Sequence, residues 1–425
     1  MNLQEEFSNE GTEITRTIRA GAISVGSTIA DASGLDSSDL SHRWWKSVLR
    51  GQRISTGPST GEIRTLDLFS GSGGLSVGAH QAIEAIGSSP VSVGALDLDE
   101  AALKIHRQNF STRLTLTANL ADTVDHHILG EGDIARFAYT PEMLHSDLAS
   151  LAGGIDLLLA GPPCQGHSNL NNHTRRNDSR NLLYLDTVAV GIALKIPMMV
   201  IENVPAVVHD KFQVVRAADT LLRQAGYTVS HAVLRGQDLP VGQLRKRHFL
   251  VATKGYHAPV KEVGLSLKRP PLTLRDTIAD LSDSYNSTWI DETPELSADN
   301  VRRIAYMLEN NVYELPNHER PLCHQESHTY PSVYGRLHWD QPAPTITTGF
   351  LTPGRGRFVH PDQPRVLTPH EAARIQGFPD TFDFSLDGSA APRKLMAKWI
   401  GDAVPSVLGY VACLSALSSR LLPSL

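Results

Sequence analysis

One junction constrains the fold more than any other feature. An apolar run over residues 63–69 passes without a break into Ser70-Gly71-Ser72-Gly73-Gly74, and then into a helix-patterned stretch over residues 75–86. A buried strand that turns sharply into a helix is the opening unit of a βαβ sheet. Residues 91–97 form a second apolar run, followed by a helical stretch around Glu100 to Asn109, and further runs occupy residues 155–160, 197–202 and 248–253. Short apolar strands alternating with helical segments predict an α/β fold, a parallel sheet with helices on both faces. The 425 residues allow two or three domains.

The rhythm stops near residue 255. Residues 256–345 are irregular, with prolines and a tyrosine-rich loop around Tyr330 and Tyr334. One helix is expected there, starting near Ser297, with Asp299 in its first turn and Val301, Ile304, Ala305 and Leu308 along it. Residues 394–417 read as a helix pair broken at Pro405. Residues 1–62, rich in Ser, Gly, Thr and Asp, read as a loosely ordered, partly disordered extension. Within it, residues 41–50 suggest a short helix whose Trp44 and Trp45 dock on the main body, with contact to nucleic acid as the other reading. No internal repeat is visible. The division expected is an extension (1–62), a first domain (63–255 with 390–425) and a second, smaller one (256–389).

Charge leaves the partner open. A net charge of −6 and a pI near 6.3 do not suit a protein that coats nucleic acid by charge alone, but a basic cleft on an acidic body would suffice. The polar, acidic first ten residues lack the features of a secretory signal, and no apolar run is long enough to span a bilayer, so a cytoplasmic location is expected. The three cysteines, Cys164, Cys323 and Cys413, are odd in number and far apart, which argues against a disulfide framework and a zinc cluster.

The chemistry gathers at strand ends. The glycine loop lets the backbone approach a ligand, and the free N–H groups that follow favour a carboxylate. Asp97 ends the next strand, where a carboxylate can accept from both hydroxyls of a ribose. Together they indicate a nucleoside-containing cofactor. Gly161-Pro162-Pro163-Cys164-Gln165-Gly166 sets a thiol just past a third strand, on an approach stiffened by two prolines. Glu202 ends a fourth, followed by Asn203 and Val204. A thiol and a carboxyl converging near such a cofactor are able to add to and protonate a heteroaromatic ring.

These segments, in this order, resemble the cytosine-C5 DNA methyltransferase family, bacterial restriction-modification type, across about residues 63 to 417. Phe69-Ser70-Gly71-Ser72-Gly73-Gly74 resembles its first motif, Asp97-Leu98-Asp99 its second, the Cys164 segment its nucleophile motif and Glu202-Asn203-Val204 its acid motif. Gln243-Leu244-Arg245-Lys246-Arg247 matches Gln-x-Arg-x-Arg. Residues 365–379 resemble the motif that organises the target domain, and Ile400-Gly401-Asp402-Ala403-Val404-Pro405 the last motif. Two positions depart from the pattern. Asn119 stands where an acid usually meets the adenine amino group, and its amide oxygen still accepts that bond without the charge. Asp402 replaces the usual Asn and adds a charge.

The resemblance implies a Rossmann-like methyltransferase domain that uses S-adenosyl-L-methionine, with a smaller target-recognition domain. It implies cofactor contacts at Phe69, Ser70, Gly71, Gly73, Gly74, Leu75, Asp97, Leu98, Asn119, Leu120, Gly161, Pro162, Asp402, Ala403 and Val404. Cys164 would attack carbon 6 of a flipped cytosine, Glu202 would hold or protonate N3, and Arg245 would hold the base carbonyl and position Glu202, with Gln243 and Arg247 beside them. Residues 167–180, with Arg175 and Arg176, resemble the loop that closes over the base, and Gln165 and Ser168 would also meet DNA. Lys246, Arg355 and Arg357 are expected at phosphates, with Gly354 and Gly356 allowing close approach. The partners implied are double-stranded DNA and, acting separately, a restriction endonuclease; a monomer suits an enzyme that handles one base at a time. Rival readings are an RNA cytosine methyltransferase, a non-catalytic DNA-binding protein on the same scaffold, and a nicotinamide dehydrogenase, for which Cys164 and Glu202 would have no use.

Overall fold

A computed structural model describes residues 3–35, 37–163, 179–325 and 332–421. The chain opens with β1 (Leu3–Glu10), β2 (Glu13–Ala20) and β3 (Ile23–Ala30), an antiparallel meander whose two-residue turns place Gly11 and Gly21 at positive φ. Helix α1 (Leu40–Leu49) follows, capped by the Asp39 side chain, and the short β4 (Ser55–Thr56) pairs with β3. The loosely ordered extension expected over residues 1–62 is therefore a folded module. Its pattern is hard to read because Arg16 occupies a core position between Ile14 and Ile18 and is fully buried. Arg16 stacks 4.6 Å from the Trp44 ring and donates to Ser27 Oγ at 3.3 Å and to the Tyr410 hydroxyl at 3.4 Å. Tyr410 in turn donates to Glu5 Oε1 at 2.9 Å. Trp44 and Trp45 are both buried, as docking requires.

The main body follows as β5 (Glu62–Leu68), α2 (Gly74–Ala85), β6 (Ser89–Asp97), α3 (Glu100–Phe110) and β7 (Leu114–Thr117). Two small hairpin sheets come next, built from β8 (Val124–Asp125) with β11 (Glu142–Met143) and β9 (Ile128–Leu129) with β10 (Arg136–Phe137). The short α4 (Ser146–Ala149) leads to β12 (Leu157–Ala160), α5 (Leu183–Ala193), β13 (Met198–Asn203), α6 (Val214–Gln224), β14 (Tyr227–Arg235) and β15 (Lys246–Lys254). The seven-stranded sheet has the order β14-β15-β13-β12-β5-β6-β7. It is parallel except at β15, which runs antiparallel to both β13 and β14. The run at 248–253, expected to be parallel, is thus reversed. Both faces are apolar. Leu157, Leu159, Val200 and Val251 pack on one side, and Leu158, Ala160, Ile201 and Leu250 on the other.

Beyond β15 come α7 (Val260–Ser266), α8 (Leu274–Ile278), α9 (Ala298–Glu309), α10 (Pro369–Gln376), α11 (Arg393–Asp402) and α12 (Ser406–Leu417). Helix α9 starts at the expected Ser297, whose side chain accepts from Asn300 N. The helix pair breaks at Pro405 as expected. Helix α12 is buried throughout and lies against α2. Among the described residues no single helix is long and apolar enough to cross a membrane.

An ion cluster joins α1 to the region after β15. Asp280 accepts from Arg50 Nη2 at 2.9 Å and Arg374 Nη1 at 2.8 Å and also pairs with Lys46. Asp380 pairs with Arg374 and with His370, whose other ring nitrogen meets Asp291 at 2.8 Å. Burial works against the Asp280 charge, but Lys46 and Arg374 outweigh it and hold this carboxyl well below the usual carboxylate range. A depressed carboxyl contributes stability above its unfolded pKa, and that stability is lost as pH falls through the folded one. Asp280→Asn is therefore expected to cost on the order of 2–4 kcal/mol near neutral pH, because the buried Lys46 loses its carboxylate and the buried Arg374 one of its two. In urea unfolding followed by circular dichroism, the gap from wild type should narrow as pH falls below about 4. A gap that stays constant with pH would contradict this assignment.

Candidate active site

The register of the sheet brings four strand ends to one edge. Ala160 lies between Leu68 and Ile201, and Leu68 pairs with Leu96, so Phe69, Asp97, Gly161 and Glu202 stand side by side at one edge of the sheet. At the first exit Phe69 takes a left-handed φ of 57°, rare for a bulky side chain and the kind of strain found at ligand sites. Gly73, at φ 103°, precedes α2; a Cβ there would lie 2.2 Å from the Phe110 ring. A Cβ on Gly74 would lie 2.8 Å from Ala403 Cβ. These glycines thus allow α3 and the Ala403 segment to close on the loop, in addition to leaving its backbone open.

Asp97 is more committed than a ribose acceptor alone. Its Oδ2 accepts from Gly71 N at 2.8 Å and its Oδ1 from Asp99 N at 2.9 Å, so it anchors the glycine loop. A carboxylate has further lone pairs, and Asp97 still lines the cavity below. Asn119 is exposed at the next strand exit, Leu120 is buried behind it, and Leu98 projects at the rim.

Glu202 is 6% exposed, and Arg247 Nε sits 2.5 Å from its Oε1. Burial raises the Glu202 carboxyl above its ordinary pKa, with Arg247 and then Arg245 opposing that shift. The guanidinium paired with Glu202 is thus that of Arg247. Arg245, expected to hold the base and Glu202, borders the cavity but donates Nη1 to the carbonyls of Ile346 at 3.1 Å and Gly401 at 3.0 Å. Gln243, grouped with the catalytic residues by resemblance, is fully buried and donates to Ile375 O at 2.8 Å and Gln376 Oε1 at 2.7 Å. Both side chains cross-link the second region to the sheet. The reason is position: both lie before β15, and the 343–376 segment packs over them.

Asn203 Nδ2 donates to Pro162 O at 3.2 Å, tying the acid strand to the turn that leads to Cys164. Cys164, Gln165, Ser168, Arg175 and Arg176 lie outside the described residues. Among the DNA candidates, Arg355 is exposed, with no ion-pair partner among the described residues, and its stem lies over Gly349. Arg357 is already occupied, donating to Tyr313 O and Arg336 O and pairing with Glu314 at 2.6 Å. Sequence reasoning overlooked Lys398 and Trp399, which line the cavity from α11; the spacing of Lys398 four residues before Asp402 is the signal that marks it.

One cavity of about 1150 Å³ connects these groups. It runs from Phe69, Asp97 and Asn119, past Gly161 and Pro162, to Glu202, Arg245 and Arg247, with Asp402, Ala403 and Val404 along one wall. A nucleoside-sized ligand at one end and a ring at the other would share a single space.

The family model described as C-5 cytosine-specific DNA methylase matches residues 63–413. The chain is 39% identical to the type II methyltransferase M1.BsuMI of Bacillus subtilis, covering 97% of this chain and 95% of that one. It is 30% identical to the type II methylase M.HgiDII of Herpetosiphon aurantiacus, covering 81% and 92%. In fold it is similar to the methyltransferase EhMeth of Entamoeba histolytica, with a TM-score of 0.54 at 17% identity over 84% of this chain and 99% of that one. The strand-end chemistry and the match over residues 63–413 lead to one conclusion: the chain belongs to the C-5 cytosine-specific DNA methylase family.

Proposed function

We propose that this DNA (cytosine-5-)-methyltransferase transfers a methyl group from S-adenosylmethionine to carbon 5 of a cytosine flipped out of duplex DNA, with Cys164 as nucleophile. The observation that carries the reading is the single cavity joining the glycine loop to the Glu202–Arg247 pair. Its donors suit such a cofactor. Backbone N–H groups at the start of α2 would receive its carboxylate, Asp97 would accept from its ribose, and Phe69, Leu98 and Asn119 would border its adenine. S-adenosylmethionine supplies an electrophilic methyl group when bound.

The chain's own residues do the rest. The Cys164 thiolate forms a bond to carbon 6 of the ring, and electrons move toward N3, where Glu202 holds or delivers a proton. Burial keeps that proton on Glu202 to higher pH than in an exposed Glu, and Arg247 fixes the carboxyl in place. Carbon 5 takes the methyl and leaves S-adenosylhomocysteine; a water molecule then takes the carbon 5 proton, and the electrons it leaves re-form the ring double bond as the carbon 6 bond to Cys164 breaks and the thiolate departs. Flipping costs a few kcal/mol, which contacts in the pocket offset. Arg355 reaches a DNA phosphate, while Arg357 braces the loop. The likeness to a type II methyltransferase over almost the whole chain supports a role in restriction-modification beside a separate endonuclease.

The first test is transfer from tritiated S-adenosylmethionine to mixed-sequence duplex DNA, beside transfer RNA. Label on DNA cytosine that vanishes with Cys164→Ser is expected; label on transfer RNA alone, or none, would overturn the reading. Glu202→Gln should lower kcat/KM by roughly 10²–10⁴ and flatten the fall in rate as pH rises above the ordinary carboxylate range. Arg355→Ala should raise KM for DNA and reduce its salt slope by about one. Arg357→Ala should instead lower the unfolding midpoint.

A further inference from the structure

Lys398 reaches across the mouth of the cavity. It lies one helical turn before Asp402 on α11, and its Nζ is 3.5 Å from Asp402 Oδ2 and 3.4 Å from Asp99 Oδ2. Asp99 caps α3, with Oδ1 accepting from Ala102 N at 3.1 Å and Oδ2 from Trp399 Nε1 at 3.4 Å. One ammonium thus spans two walls. The first is the start of α3, beside Asp97 and the glycine loop. The second is the end of α11, which runs on into Ala403 and Val404 against Gly74.

The charges around it make the contact consequential. Asp97, Asp99 and Asp402 all line the cavity, and Lys398 is the cation paired with the last two among the described residues. Lys104, the other lysine on the wall, is paired with Asp387 at 3.0 Å. Without Lys398, Asp99 would keep only its neutral N–H donors and Asp402 would have no paired cation among the described residues, so the two charges would repel across the cavity. A neutral Asn at 402 would need no such partner.

We propose that Lys398 is a positioning residue that holds the two walls of the cofactor cavity together by compensating Asp99 and Asp402, and so sets cofactor affinity. The proposal rests on the reading of this cavity as the S-adenosylmethionine site. Its distinguishing mark is rescue: the cost of removing Lys398 is relieved by removing the Asp402 charge.

The test is calorimetric titration of the full chain with S-adenosylmethionine and, separately, with S-adenosylhomocysteine. The proteins are wild type, Lys398→Met, Asp402→Asn and the double variant. The Lys398 and Asp402 side chains are 52% and 60% exposed, so the variants should fold, and thermal melts check this. Lys398→Met should weaken both ligands by roughly three- to tenfold, with the loss in KM for the cofactor rather than in kcat. Adding Asp402→Asn should recover most of that loss. Unchanged binding in Lys398→Met, a loss the double variant does not recover, or a loss confined to one ligand would each overturn the proposal. Failure of the wild type to bind either ligand would overturn the cofactor reading itself, and the proposal with it.

Discussion

β15 pairs antiparallel with β13 in a register that sets Asn203 opposite His248, so Arg247 arrives at the same sheet edge as Glu202. Had β15 run parallel, its first residues would enter at the far end of the sheet, about 30 Å away for nine residues at the usual rise per residue. A buried carboxyl without a nearby guanidinium would be costly to keep charged and poorly fixed in orientation. The reversal supplies the partner, and burial still holds the carboxyl above its ordinary pKa against the pull of Arg247. The same reversal delivers Gln243 and Arg245 to the boundary with the 343–376 segment, where their side chains satisfy buried carbonyls.

The second region is therefore attached by polar groups as well as by the apolar cluster that joins Phe378 and Ile346 to Ala102 and Ile105. Gln243 and Arg245 tie it near the cavity, and the cluster around Asp280 ties it to α1. Such groups tolerate little displacement, because each lost partner leaves a buried donor or charge unsatisfied. The wall formed by Gly401 to Val404 is thereby held at a defined distance from the glycine loop, and Lys398 sits where that distance is set.

The N-terminal module belongs to the same framework. Arg16 lies between the Trp44 and Tyr410 rings, and Tyr410 is on α12, which packs against α2 behind the glycine loop. A charged side chain in a core position hid this module from the alternation that normally reveals a strand. Cation–π contacts and the Glu5–Tyr410 bond make that position tolerable, and all of them come from residues distant in sequence.

The sequence by itself determined the strand-helix rhythm, the glycine loop, the acids at strand ends and the order of the motifs. Each strand, loop and helix signal is local, and apolar periodicity and turn chemistry act at that range; the order of the motifs follows from the chain itself. The positions of Ser297 as a cap and Pro405 as a helix break were legible for the same reason. The tertiary structure alone decided the direction of β15, the pairing of Glu202 with Arg247, the carbonyls that Arg245 and Arg357 meet, and the bridge from Lys398 to Asp99. These depend on which distant segments meet. Arg245 and Arg247 stand two positions apart, a spacing that within one strand puts both side chains on the same face; they differ because Arg247 lies in β15 beside Glu202, while Arg245 lies just before the strand, where the carbonyls of Ile346 and Gly401 come within reach.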